Sequence, residues 1–243
     1  MKNLKILTAF SALLLVFNAS CDKESRIQNQ NSDINSLLLS VNSKEVAEKH
    51  NEFLIQINNE RKNHKDLITT LKALDFGIPQ EQVIASYEWA FEKSIQSKND
   101  SIEVDYHQLI LNFLNTDQAK NLYLEIDSVI SHTYNKPNQL KIEVDRLMNS
   151  KKQIIDPTNL KVIELFAETS KASSDYWFGV SNGKKHKDMN TKATASWVKA
   201  DGRGAAGSSI TWAVGAALAT GPVAPVSYFV CVALGAALAS IMS

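Results

Sequence analysis

Between Ser43 and Phe178 the apolar residues recur at helical spacing, and nowhere do they alternate over the length of a strand. Val46, His50, Phe53, Leu54 and Ile57 share one face of a first helix, which Ser43 is placed to cap. The pattern predicts a second helix over 65–75, closed by Gly77 and Pro79, and a third over 80–95 that stacks Val83, Ile84, Tyr87, Phe91 and Ile95. Helices over 101–115, 117–133 and 137–150 follow, parted by Asn115-Thr116 and Asn135-Lys136-Pro137. Asp156-Pro157 starts one more. Asp can accept a hydrogen bond from the orphan backbone N–H groups there, and Pro lacks an N–H where none is needed. That helix carries Leu160, Ile163, Leu165, Phe166, Tyr176 and Trp177. The predicted fold class is all-α, with a helical bundle body over 43–179.

After the body the pattern changes. Ala213–Thr220 reads AVGAALAT, and Ala233–Ser240 reads ALGAALAS. In steps of four the first segment gives Gly207, Thr211, Gly215 and Ala219; the second gives Ser227, Cys231, Gly235, Ala239 and Ser243. Residues four apart lie on one side of a helix, so each segment has a face without bulk that lets another backbone come close. Gly221-Pro222 and Pro225 break the helix between them. The expectation for 204–243 is a Gly/Ala-rich hydrophobic helical hairpin, packed through Gly207, Gly215 and Gly235. Each arm of about 16–18 residues is roughly 24–27 Å long. That is marginal against a hydrocarbon core of about 30 Å, so burial in the protein's own body stands as the alternative to membrane insertion.

Charge divides the chain the same way. Residues 21–179 carry 18 basic against 24 acidic side chains, residues 180–203 carry six against two, and 204–243 carry none. A basic linker over 180–203, with Lys184, Lys185 and Lys187, is suited to anionic head groups. The first twenty residues read as a signal peptide, with Lys2 and Lys5 ahead of the apolar run Ile6–Phe17. Residues 21–42, rich in Ser, Asn and Gln, read as a tether.

Asn18-Ala19-Ser20-Cys21 resembles the lipobox of bacterial lipoproteins, which implies that Cys21 is the acylated first residue of the mature chain. Asp22, Lys23 and Glu24 resemble the surface-export signal of Bacteroidota lipoproteins. His50-Asn51 within Val46–Leu54, Tyr176-Trp177, and Lys199-Ala200-Asp201 leading to Gly204 and Gly207 are similar to segments of a group of Bacteroidota lipoproteins with a helical body and a Gly/Ala-rich tail. That resemblance implies layout and localisation in the cell envelope; it brings no activity with it. The cationic lead and Gly-spaced tail over 184–243 also resemble class II bacteriocins, whose hairpin enters a target membrane.

Candidate chemistry is sparse. There is no nucleophile-elbow, zinc-protease, phosphate-loop or Cys-x-x-Cys pattern. His50 reads as a core histidine; Glu103 and His107, one turn apart, could share a metal, but one such pair is common by chance; His186 sits among lysines. Cys231 reads as a small hydrophobe. No enzyme, cofactor or metal is expected, and an acidic body with one short basic segment disfavours nucleic acid. Two readings remain. One is an envelope lipoprotein with a membrane-associating, bacteriocin-like hairpin. The other is a non-catalytic structural or binding lipoprotein whose tail lies in its own core. Membrane lipid is the expected partner, and the small faces leave association between copies open.

Overall fold

The computed structural model describes residues 33–64, 66–88, 106–181, 184–185, 195–218 and 225–242. Ten helices run through them: α1 over 33–40, α2 (Ser43–Glu60), α3 (Leu67–Ala73), α4 over 80–88, α5 (Tyr106–Phe113), α6 (Asp117–Thr133), α7 (Pro137–Lys151), α8 (Pro157–Phe178), α9 (Ala195–Leu218) and α10 (Pro225–Met242). The protein is all-α. The departures among the described residues are a 3-10 turn over Lys152–Ile154 and a two-residue antiparallel ladder, Val180-Ser181 against Lys184-Lys185.

Side chains at the helix starts explain where several helices begin. Asp66 accepts from the Thr69 amide, Thr116 from Ala119, and Asp156 from Thr158 and Asn159. The α2 cap is Asn42, whose carboxamide oxygen accepts from the Lys44 and Glu45 amides. Ser43, expected as that cap, is instead the first helical residue and is buried. The tether expected over 21–42 is also partly folded: α1 lies inside it, and Leu38 and Val41 are buried in the core. Likewise α9 begins within the stretch expected as a basic linker, with Val198 fully buried. Phe91, Ile95 and Glu103 lie outside the described residues.

One continuous apolar cluster takes buried side chains from every helix. Leu38, Phe53, Leu71, Val83, Ile110, Ile126, Leu140, Phe166, Ala206 and Leu234 represent the ten in order. The long helix α8 packs on α2, α6, α7 and α9; α9 packs on α8, α10, α5 and α6. Helix α10 lies against α9 and α2, and every residue from Val230 to Ser240 is buried. A helix apolar all round its circumference is stable in water only when it is enclosed, and here other helices of the same chain enclose it.

Candidate functional site

The most connected polar group in the interior is built where α2, α8 and α9 meet. Helix α2 contributes His50 and Asn51, α8 contributes Ser173, Trp177 and the Ala172 carbonyl, and α9 contributes Asp201. His50, Ser173 and Asp201 are wholly shielded from solvent, each with 0% exposure. Asn51 Nδ2 donates to the Ala172 carbonyl at 3.0 Å, and its Oδ1 lies 3.0 Å from His50 Nδ1. The Ser173 hydroxyl donates to Asp201 Oδ2 at 2.5 Å, and Trp177 Nε1 approaches the same oxygen at 3.4 Å. His50 Nε2 faces Asp201 Oδ1 at 3.5 Å.

Gly202 makes this approach possible. A Cβ there would stand 2.6 Å from the Phe166 carbonyl oxygen and inside the Ser170 hydroxyl, so only glycine lets α9 lie this close to α8. On the other side of α9, Lys199 and Arg203 reach the two oxygens of Asp127 on α6, at 2.7 and 2.9 Å. Around the node, Asn58 Nδ2 donates to the Tyr176 hydroxyl at 3.3 Å. Burial pushes the Tyr176 phenol above its ordinary range, and the charge of Asp201 adds to the push. Trp177 packs edge-on against Trp197 at 4.9 Å.

Chemically this arrangement holds protons and helices in place. Its serine hydroxyl is bonded to the carboxylate rather than to the imidazole, so the histidine does not activate it as a nucleophile. His107, half of the Glu103–His107 pair, places Nδ1 2.8 Å from the Tyr123 phenolic oxygen. Among the described residues no three His, Cys, Asp or Glu side chains gather as a metal site. The Cys231 thiol is buried, and burial pushes it up to about 11.

The residues singled out in the sequence are scattered. Cys21 and Lys187 lie outside the described residues; the backbones of Lys184 and Lys185 form the short ladder. Gly207 and Gly215, expected to pair the Gly/Ala-rich arms, do other things. A Cβ on Gly207 would meet the Tyr106 ring of α5 at 2.8 Å, and one on Gly215 would meet nothing within 4 Å. Close approach between α9 and α10 falls to Gly204. Its Cβ would stand 2.6 Å from Ala239 Cβ, 3.0 Å from Ala236 Cα and 3.3 Å from the Gly235 carbonyl. Gly235 is thus at the contact, buried, with Gly204 opposite it. Sequence reasoning missed Gly204 and Ser173. The signal for Gly204 was a parallel row of small residues, Ala200, Gly204 and Ser208, beside the row that contains Gly207. His50-Asn51, Tyr176-Trp177 and the Lys199–Gly207 stretch, noted separately along the chain, meet at one place. No protein-family model matches this chain, and no curated protein or solved structure matches it.

Proposed function

We propose that this protein is a non-catalytic, lipid-anchored module of the cell envelope, held by Cys21, whose Gly/Ala-rich C-terminal helices form a hairpin that completes its own core. The burial of Tyr228 and of every residue from Val230 to Ser240 carries this reading. Those side chains are already removed from water by α2 and α9, and burying a Leu or Val side chain is worth about 1.5–3 kcal/mol. Among the described residues no helix is long and apolar enough to cross a membrane. The signal sequence and lipobox support the anchor. The test is a chain lacking 204–243, with Cys21→Ser to keep it soluble. It should lose cooperative melting and expose apolar surface to a fluorescent dye. A truncated body that melts like the full chain would overturn the closed-core reading. Labelling with radioactive palmitate, lost in Cys21→Ala, tests the anchor separately.

One observation favours a second reading. Residues 204–243 contain no Asp, Glu, Lys or Arg, so no charge would oppose their transfer to a bilayer once the body opened. Dye leakage from anionic vesicles exposed to the full chain would support it. Intact vesicles alongside a truncated body that cannot fold leave the closed core as the role of the tail.

A further inference from the structure

The hydrogen-bond geometry at the α2–α8–α9 junction fixes more than packing. Asn51 spends its Nδ2 on the Ala172 carbonyl, so the atom it turns to His50 is Oδ1, which only accepts. His50 Nδ1 therefore carries a hydrogen. The other nitrogen, Nε2, faces Asp201 Oδ1 at 3.5 Å in a site with no exposed surface, and neither atom has a hydrogen-bond partner. A bare nitrogen opposite a bare carboxylate oxygen would set two lone pairs against each other at a place shielded from solvent. A proton on Nε2 removes that conflict. Asp201 is prepared to be its anion, because Oδ2 already receives the Ser173 hydroxyl and the Trp177 indole N–H, bonds that favour the charged carboxylate.

We infer that His50 is held in the core as an imidazolium paired with Asp201, an ionic clasp that joins α2, α8 and α9. No other described charge shares the work. On α2 the titratable group at the junction is His50 itself, and on α8 it is Tyr176. On α9, Lys199 and Arg203 turn to Asp127. On α10, the Tyr228 hydroxyl donates to the Ser209 carbonyl and Cys231 lies by Gln82. Removing one member of a buried pair is more damaging than replacing both. The inference is independent of the lipid anchor, and palmitate labelling and the experiment below fail separately.

The test is a long-range proton–nitrogen correlation spectrum of the 15N-labelled full chain carrying Cys21→Ser, at neutral pH, with His50 identified by its loss in His50→Gln. The expected result is two donor-type ring nitrogens for His50, and one pyridine-type nitrogen in Asp201→Asn. A pyridine-type nitrogen on His50 in the unaltered core, or an imidazolium unchanged by Asp201→Asn, overturns the clasp. If Asp201→Asn does not fold well enough for spectra, denaturant melts decide. The double variant His50→Gln/Asp201→Asn should have a higher midpoint than Asp201→Asn. Additive losses would sink it.

Discussion

Two nearly identical eight-residue stretches, twenty positions apart, meet different fates in this protein. In the second, Ala233–Ser240, all eight residues are buried. In the first, Gly215 is exposed and a side chain added there would touch nothing. The letters are alike, yet the second stretch is enclosed by α9 and α2, while in the first Ala213 is buried and Gly215, two residues on, is open. A row of small residues creates a surface that permits close approach; the rest of the chain decides whether anything approaches it. Here the residue that takes the contact, Gly204, is outside both copies.

That contrast can be broken first at Gly204. Even a Cβ would collide with Ala239, so Gly204→Leu forces α9 and α10 apart. The expected loss lies above the usual overpacking range of about 1–3 kcal/mol, read as a collapsed urea midpoint. Leu238→Ala, in the enclosed copy, removes a fully buried side chain and should cost about 3 kcal/mol by the same melt. A loss near zero would mean that the second copy is not packed as described.

The alkaline pH range sharpens the comparison at Thr211 and Cys231, which are twenty residues apart like the two copies. Thr211 is half-buried and donates to the Gly207 carbonyl at 3.0 Å; Cys231 is buried with its thiol pushed up to about 11 from 9.0. Folding therefore favours the protonated thiol. Its contribution is complete below pH 9 and is lost as the pH climbs from 9 to 11, by about 2–3 kcal/mol. Cys231→Ala should lose that much less stability than the unaltered chain over the same interval, and equal slopes would contradict the burial. The smallest effect belongs to Gly215. Gly215→Ala gains helix propensity with no collision and should stabilise by about 0.5–1 kcal/mol.

Much of the helical layout is legible along the chain because its causes are local. The five residues assigned to one face of α2 are all buried, and Asp156-Pro157 begins α8. Composition misled where packing overrode it: Leu38 and Val41, set among Ser and Asn, are drawn into the core. The polar node was not legible at all. Lys199, Asp201 and Arg203 look like one solvated run, but residues 199 and 203 share a helix face while 201 lies about 200° around from 199. Only the position of α6 on one side and α8 on the other makes Lys199 and Arg203 part-buried ion pairs and Asp201 a buried anion.

Helix α10 leans on α2, and the two are separated by almost the whole of the folded chain. Bringing together segments so distant in sequence makes folding slow, because the entropy of loop closure must be met before their contacts reward it. Helix α10 is thus delivered after both helices it packs on. Until residues 225–242 arrive, α2 and α9 present bare apolar flanks, and the chain is open to proteases and to its neighbours. Faults in α10 should therefore appear as poor yield during synthesis before they appear as a lowered melting point.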